Sequence, residues 1–329
     1  MLRKVVERLA LVFIGLVLSC ILTEVVLQIG GLYVRATSEA AASSWKSGSA
    51  VRVLALGDSN TYGLYLEDRD DAYPSVVQTL WRERHSPEPA IEVINAGVPG
   101  TNSSRVRRDI QRLLETFRPD VITLMVGAND YWTEPVPFHD ESLTLGNRLW
   151  EYSRLYRLFY MLRRTLENYE VQIEFDDPEG YRPNRGTIHF GSNRFDLGWT
   201  KQKDQASQVW IDQLTENLTS IADLAETLGV HTILLTYPSP SRASYLWAND
   251  RIIAVAEKLE VLLVDSRSVF MRNCAQAACG NLLYTDHHPT AQGHRLIAEA
   301  LLDQLLIDRG LVASDKATRC STEERIRSR

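Results

Sequence analysis

Five short runs of apolar and β-branched residues alternate with amphipathic helical patterns along most of this chain. Each run is almost uniformly apolar, which is typical of a strand buried on both faces of a parallel sheet. A helical pattern follows each run, as strand-helix-strand connections require. The sequence therefore predicts an α/β fold with a three-layer, doubly wound, parallel five-stranded sheet. The predicted strands are 51–57, 91–97, 120–127, 231–238 and 261–266, and the predicted helices are 73–84, 103–117, 201–229, 244–260 and 290–307.

The segments outside this repeat predict the remaining organisation. Residues 131–200 form an insertion in the domain 51–310, with a helical pattern at 148–166 followed by an irregular stretch. Insertions after the carboxyl end of a strand overhang the crevice in such folds, so this one is expected to shape a pocket. Residues 34–50 are rich in Ala, Ser and Gly and predict a tether. Residues 311–329 are polar and aperiodic and predict a disordered tail.

A long apolar segment lies near the start of the chain, behind three basic residues. It runs from Leu9 to Leu22 and resumes as far as Leu32. About 20 apolar residues are needed to cross a bilayer, so the segment predicts an N-terminal transmembrane helix within residues 1–33, which meets the membrane through residues 9–32. Basic residues before the helix predict a cytoplasmic amino terminus and a folded domain exported to the periplasmic or extracellular side.

Two polar residues, Glu24 and Gln28, interrupt the far end of this segment. They are four residues apart and share a helix face near the interface, where polar tips can reach lipid headgroups. A cleaved signal peptide is the alternative, because basic residues followed by about 15 apolar ones also describe its sequence. Small-residue cleavage sites occur only around Ala40 to Ala42, well beyond Leu22, which favours an uncleaved anchor.

Charge and cysteine content bear on partners and compartment. The chain has a net charge of −6 and a pI near 5.7, so it lacks the excess of basic residues with which proteins bind the phosphate backbone of nucleic acids. No nucleic acid partner is therefore expected. The four cysteines, Cys20, Cys274, Cys279 and Cys320, show no zinc-site spacing. Two interpretations stay open for Cys274 and Cys279: a local disulfide in an oxidising compartment, or two buried thiols.

A serine stands at the end of the first predicted strand. Ser59 follows Gly57 and Asp58, and Gly63 comes shortly after it. Glycines on both sides relieve the strain of a tight turn, and a helix beginning there directs backbone N–H groups toward an oxyanion. The carboxyl edge of a parallel sheet is where a nucleophile belongs in such folds, so Ser59 is the candidate nucleophile.

Two more strand ends provide hydrogen-bond donors. Gly100 follows the second predicted strand and can bring its N–H close to a substrate carbonyl oxygen. Asn129 follows the third predicted strand and offers a side-chain amide to the same oxygen. Because the carboxyl ends of parallel strands meet at one edge, we expect both donors to lie near Ser59.

A histidine-rich loop precedes the last predicted helix. It contains Asp286, His287 and His288, which supply a base and an orienting carboxylate for the serine, and His294 follows within that helix. A metal site is not expected, because no cluster of Cys or carboxylate residues at ligand spacing accompanies these histidines. No cofactor is expected either.

These blocks resemble the SGNH (GDSL-like) hydrolase superfamily, in which GDS, a glycine-containing loop, GxND and a terminal DxxHP follow in this order. The resemblance covers about residues 51–307. It implies a flavodoxin-like three-layer fold and acyl transfer through a serine ester, usually without a metal. It also implies that Ser59 is the nucleophile and an oxyanion N–H donor, that Gly100 and Asn129 are the other oxyanion donors, and that His288 is the base.

One departure concerns the acid. The family's acid stands three residues before the histidine, where this chain has Thr285, and Asp286 is two residues before it. A local backbone adjustment can let Asp286 reach the imidazole of His288, which we expect. Two alternatives stay open: His287 is the base in a shifted register, or the acid is absent and a Ser-His pair works alone.

The expected function is a serine ester hydrolase that acts through an acyl-enzyme on an ester, such as an acylated carbohydrate or lipid. One alternative is an O-acyltransferase, in which a hydroxyl of envelope polysaccharide captures the acyl group. Another is a catalytically inactive, membrane-tethered binding module, which the displaced aspartate suggests. The joint presence of Ser59, Gly100, Asn129 and His288 argues against the inactive module.

Overall fold

A computed structural model describes residues 2–43, 51–85, 90–130, 153–156, 158–159, 171–175, 186–190, 193–197, 205–274 and 280–308. The chain forms two compact units, of which one contains residues 1–46 and 134–171 and the other contains residues 47–133 and 172–329. The chain therefore leaves the second unit after Thr133 and returns to it at Gln172.

The larger unit contains the predicted parallel sheet. Its strands are β1 (Val51–Gly57), β2 (Ile91–Gly97), β3 (Val121–Met125), β7 (His231–Leu235) and β8 (Leu262–Val264), arranged in the order β2-β1-β3-β7-β8. Every pairing in this sheet is parallel. The strand order changes direction beside β1, which gives the doubly wound topology that the alternating pattern predicts and confirms the predicted fold class.

Helices follow the strands as the periodicity predicts. Described helices of this unit are α2 (Ser59–Tyr62), α3 (Tyr73–His85), α4 (Ser103–Phe117), α5 (Gln205–Thr227), α6 (Ala243–Leu259), α7 (Ser266–Asn273) and α8 (Ala291–Asp308). Strand β3 is buried along its whole length. Strand β1 is buried except at its first two residues, which are partly exposed. Burial on both faces explains why these strands are apolar at nearly every position, apart from Arg52 in β1 and Thr123 in β3, rather than at alternate positions.

A second, three-stranded sheet lies between β3 and α5 in the chain. It contains β4 (Val171–Phe175), β5 (Gly186–Phe190) and β6 (Asn193–Leu197) in the order β4-β5-β6, and β5 pairs with β6 antiparallel. The sequence predicted only an irregular stretch here. The runs are five residues long and mix polar with apolar residues, so neither uniform burial nor a clear helical period marks them.

The smaller unit is built on α1 (Leu2–Ser43). Residues Val6–Tyr33 of α1 form a 28-residue stretch long and apolar enough to cross a membrane, and apolar side chains along it are exposed. The helix continues beyond Tyr33 to Ser43, so the first part of the predicted tether is helical. The rest of the tether and the predicted disordered tail lie outside the described residues.

Within the smaller unit, Glu24 of α1 accepts hydrogen bonds from a second segment. The backbone N–H groups of Arg154 and Leu155 donate to its carboxylate at 3.0 and 2.8 Å, and the hydroxyl of Ser153 donates at 2.8 Å. Residues 154–156 are helical, and the first N–H groups of a helix have no intrahelical acceptor, so Glu24 provides one. Glu24 is thus bonded within the protein, where the sequence suggested lipid headgroups.

Gly31 continues this contact along α1. A Cβ atom at this position would collide with the guanidinium group of Arg154, whose Nε also lies 3.4 Å from Oε1 of Gln28. The absence of a side chain at Gly31 lets the long side chain of Arg154 lie against the helix backbone. The contact therefore depends on three positions of α1 spaced along one side of the helix: Glu24, Gln28 and Gly31.

Candidate active site

Ser59 is the first residue of α2, directly after the carboxyl end of β1. Gly57 permits this tight passage, because a Cβ atom there would collide with the side chain of Thr61 and lie 2.6 Å from the carbonyl oxygen of Met125. The short helix ends at Gly63, whose φ of +83° lies in the left-handed region that glycine adopts without strain. The two glycines thus present the serine at the edge of the sheet, as the sequence predicts.

The hydroxyl of Ser59 meets His288, which lies in the loop before α8. Ser59 Oγ is 2.8 Å from Nε2 of His288, and Nδ1 of the same ring is 2.8 Å from Oδ2 of Asp286. His288 is buried and Asp286 is partly exposed. When Nδ1 donates its hydrogen to the carboxylate, Nε2 is left as an acceptor for the serine proton. The structure therefore brings together the predicted nucleophile, base and acid in one chain of hydrogen bonds.

The backbone of His287 explains how Asp286 reaches the imidazole from two residues away. His287 has a φ of +70°, so the loop turns back on itself between Asp286 and His288. The carboxylate also accepts from the backbone N–H of His288 at 3.3 Å, as aspartate side chains do in tight turns. Burial acts to raise the pKa of Asp286, but this backbone bond and the nearby imidazole outweigh it and leave the pKa below its usual value.

His287 itself points elsewhere. Its Nδ1 lies 2.9 Å from Oγ of Ser239, in the loop after β7. Burial lowers the pKa of His287, and the adjacent guanidinium of Arg242 lowers it further. Arg242 also donates a hydrogen bond to the backbone carbonyl of Asp286. The loop after β7 therefore contacts the turn that contains Asp286 on two sides, and the contacts of His287 do not support the shifted register.

Two backbone N–H groups are available beside the serine. Neither Ser59 nor Gly100 donates its N–H to another of the residues that the structure describes. Gly100 has a φ of +71°, which orients the peptide in a way that a residue with a side chain rarely adopts. The loop is held at its far end by Asn102, whose side chain accepts from Arg105 N at 2.9 Å and begins α4.

The side-chain amide of Asn129 lies between two neighbouring loops. Its Nδ2 is 2.9 Å from the carbonyl oxygen of Thr101 and 3.3 Å from Oδ2 of Asp58. The first contact ties Asn129 to the loop that carries Gly100. The second is long for a hydrogen bond and correspondingly weak. Asn129 is therefore tied both to the loop that carries Gly100 and to the carboxylate of Asp58, which precedes Ser59.

A buried carboxylate lies behind the serine, and the sequence assigned it no role. Asp58 is only 1% exposed and accepts hydrogen bonds from the hydroxyl of Tyr237 at 2.7 Å and from Asn60 N at 2.9 Å. Burial raises the pKa of Asp58. The amide of Asn60 is bonded in turn to the hydroxyl of Tyr245 at 2.9 Å. These bonds fix the backbone on both sides of Ser59.

A second buried carboxylate joins the two loops that carry the predicted oxyanion donors Gly100 and Asn129. Asp130, the neighbour of Asn129, accepts from both the backbone N–H and the hydroxyl of Ser103. Asn217 of α5 donates to the same hydroxyl at 2.7 Å. Burial raises the pKa of Asp130 to about 7, although the bonds from Ser103 act in the opposite direction. The sequence contained both residues next to predicted donors but no signal that they pair.

The surroundings of His294 and Cys274 indicate structural roles. His294 is fully buried, its Nδ1 lies 3.2 Å from Tyr73 N, and burial lowers its pKa to about 3. Among the described residues there is no group of three or more His, Cys, Asp or Glu side chains that could hold a metal ion. Cys274 is disulfide-bonded, with a partner outside the described residues, and Cys20 is free and exposed.

Comparison with known proteins supports the resemblance that the motifs predict. Residues 55–168 match the GDSL-like Lipase/Acylhydrolase family, which covers the segment with Ser59, Gly100 and Asn129. No curated protein matches the chain.

Solved structures that align with this chain include LAE5, an alpha/beta hydrolase enzyme from the metagenome of Lake Arreo in Spain. It is 19% identical, with a TM-score of 0.48 over 78% of this chain and 95% of its own. Axe2, an acetylxylan esterase from Geobacillus stearothermophilus, is 19% identical, with a TM-score of 0.47 over 78% of this chain and 94% of its own.

Proposed function

We propose that this chain, assigned to the SGNH hydrolase superfamily by its motifs and its family match, is a serine ester hydrolase. One observation carries the proposal. Ser59 Oγ, the imidazole of His288 and the carboxylate of Asp286 form a continuous chain with two distances of 2.8 Å, at the carboxyl edge of the sheet. This is the geometry of an activated serine nucleophile, in which a base accepts the hydroxyl proton and an acid orients the base.

In the proposed mechanism, His288 removes the proton from Ser59 as Oγ attacks the carbonyl carbon of an ester. The backbone N–H groups of Ser59 and Gly100 and the amide of Asn129 donate to the oxyanion that forms. His288 then gives the proton to the departing alcohol, which leaves an acyl-enzyme on Ser59. Water, activated by the same imidazole, releases the acid. Asp286 keeps Nδ1 protonated and stabilises the imidazolium while it exists.

The proposed substrate is a carboxylic ester, such as an acylated carbohydrate or lipid outside the cytoplasm. The stretch Val6–Tyr33 is long and apolar enough to span a membrane, and the disulfide at Cys274 suits an oxidising compartment. We propose that the helix is not cleaved, because small-residue cleavage sites occur only around Ala40 to Ala42. Full-length protein should stay with membranes through a carbonate wash and keep its original amino terminus. Release into the wash, or a mature terminus near residue 43, would instead indicate a cleaved signal peptide.

The catalytic proposal is tested by replacing Ser59 with Ala. Ser59→Ala should abolish ester hydrolysis and labelling by a fluorophosphonate, because only an activated serine is phosphonylated under mild conditions. Ser266→Ala is the matched control, since Ser266 is fully buried and its hydroxyl has no hydrogen-bond partner among the described residues. The control should keep both activity and labelling. Equal labelling of wild type and Ser59→Ala would remove Ser59 from the mechanism.

A further inference from the structure

Two exposed tyrosines lie near His288: the ring of Tyr65 contacts the imidazole, and the ring of Tyr284 contacts Tyr65. The ring of Tyr65, in the loop after α2, lies 5.4 Å from the His288 ring between centroids, at an interplanar angle of 90°. Tyr284 lies 5.8 Å from Tyr65 at 79°. The two tyrosines are 57% and 37% exposed, whereas the imidazole beside them is buried. Tyr65 therefore presents aromatic surface to solvent beside the imidazole of His288, and Tyr284 extends that surface.

The backbone of Tyr65 adopts a strained conformation, so the surrounding contacts must keep the residue in this position. Its φ of +72° lies in the left-handed region, which bulky residues rarely adopt. The Asp286 carboxylate near its hydroxyl raises the pKa of Tyr65, and its backbone carbonyl lies 3.4 Å from the hydroxyl of Tyr284. Strained backbone of this kind persists where surrounding contacts enforce it, and it concentrates at binding and active sites. Core packing does not account for it, because most of the ring is exposed.

The chemistry of acyl transfer determines which part of an ester meets this surface. Nε2 of His288 gives its proton to the alcohol oxygen as the acyl-enzyme forms, so the alcohol must lie beside the imidazole. The carbonyl oxygen lies toward the N–H groups of Ser59 and Gly100. A group that flanks the imidazole therefore contacts the alcohol part of the ester.

We propose that Tyr65 and Tyr284 form the subsite for the alcohol part of the substrate, and that this alcohol is a sugar ring. The inference rests on the proposed esterase function. A pyranose has flat C–H faces that pack on exposed aromatic rings, and its hydroxyls remain free to reach solvent and the tyrosine hydroxyls. A small acyclic alcohol offers too little surface to contact both rings. The hydroxyl of Tyr65 lies near the Asp286 carboxylate, so separate variants test the ring and the hydroxyl.

The test varies the alcohol and the acyl group independently in full-length protein. One pair of substrates shares the acetyl group and differs in the alcohol: a monoacetylated methyl pyranoside and ethyl acetate. A second series shares the pyranoside and carries acetyl, butyryl or octanoyl groups. The variants are Tyr65→Ala, Tyr65→Phe and Tyr284→Ala. Tyr33→Ala is the matched control, because Tyr33 is an exposed tyrosine of α1. Fluorophosphonate labelling of Ser59 verifies that each variant keeps its nucleophile reactive.

Tyr65→Ala and Tyr284→Ala should lower kcat/KM for the acetylated pyranoside at least tenfold more than for ethyl acetate, mainly through KM. The loss should not depend on acyl length. Tyr65→Phe should keep the preference for the sugar ester and lower kcat equally for both alcohols, because it removes only the hydroxyl near the Asp286 carboxylate. Tyr33→Ala should match wild type.

A loss that is equal for both alcohols, or that changes with acyl length, would overturn the alcohol subsite while leaving the esterase intact. A wild-type preference for ethyl acetate over the sugar ester would overturn the sugar assignment. If wild-type protein hydrolyses none of these esters, the proposed function fails, and the subsite fails with it.

Discussion

Oδ2 of Asp286 lies 2.8 Å from Nδ1 of His288 although a single residue separates the two in sequence. The left-handed backbone of His287 makes this contact geometrically accessible. The family's usual spacing places the acid one residue earlier, at Thr285. With the acid at Asp286 the loop is one residue tighter than the family's usual loop. This tighter loop requires a positive φ at His287, which is not a glycine.

Asp286→Asn should keep the fold and lower kcat by about 10⁴, by analogy with the loss when a triad aspartate becomes asparagine. The asparagine amide can no longer hold Nδ1 protonated, so Nε2 carries the hydrogen and cannot accept the serine proton. Thr285→Ala is the control and should change kcat little. Steady-state kinetics across about pH 6 to about pH 9 measures both. Near wild-type kcat in Asp286→Asn would mean that Ser59 and His288 work without this acid.

Asn129→Ala should lower kcat by about 10² to 10³ with a smaller effect on KM, because the proposed bond to the oxyanion forms in the transition state. The reaction must weaken the 3.3 Å contact between Nδ2 and Asp58 before that N–H can serve the oxyanion. Asn273→Ala is a control, since Asn273 is on α7 and donates to the carbonyl of Val269. A change in KM alone would assign Asn129 to substrate binding.

Acid should destabilise the protein through His294. Burial lowers the pKa of this imidazole from 6.5 to about 3, so between these values the unfolded chain binds a proton that the folded protein does not. The free energy of unfolding is therefore unaffected above about pH 6.5 and falls as the pH drops below it, by at most about 1.4 kcal/mol per pH unit. Urea unfolding at a series of pH values measures this slope.

The comparison variant for that experiment is His294→Asn, whose side-chain oxygen can still accept from Tyr73 N. It should be less stable at neutral pH because it fills less volume, yet it should lose stability less steeply in acid than wild type does. Parallel pH profiles for the two proteins would show that another group controls acid unfolding.

Glu24→Ala should speed amide hydrogen exchange at Arg154 and Leu155 at least tenfold, because their N–H groups donate to the Glu24 carboxylate. Mass spectrometry of protein in lipid nanodiscs follows the peptide that contains them. Glu7→Ala is the matched control on the same helix, where Glu7 forms an exposed ion pair with Arg3. Unchanged exchange in Glu24→Ala would show that the Glu24 carboxylate does not stabilise the segment that contains Arg154 and Leu155.

The sequence predicted the sheet well because burial on both faces leaves a uniform apolar signal. The first two strands have the predicted bounds, and the third, predicted as 120–127, is observed as β3 (Val121–Met125). The predicted site residues also lie at one edge of the sheet, because topology alone brings the carboxyl ends of parallel strands together. The hydrogen bond between Ser59 and His288 then joins the nucleophile and base predicted from widely separated motifs.

The missed features depend on contacts between distant residues. The bond of Asp58 to Tyr237 and that of Asp130 to Ser103 join residues whose types are also common in turns, so neither has a local signature. The positive φ of Tyr65 could not be predicted either, because bulky residues rarely adopt it and the contact with Asp286 that enforces it is tertiary. The strands β4, β5 and β6 alternate polar with apolar residues over only five positions each, which is a weaker signal than the nearly uniform apolar runs of the large sheet.

The pairing of β3 with β7 has a consequence for biosynthesis. Val121 and His231 are neighbours in the sheet, yet the whole excursion through the smaller unit is synthesised between them. While the ribosome makes that stretch, β3 can pair with β1 on one side, and its other backbone edge stays open. An apolar strand with an open edge is a template for pairing with other chains. The nascent protein is therefore most prone to aggregation in this interval, and a chain truncated before β7 would keep that edge permanently.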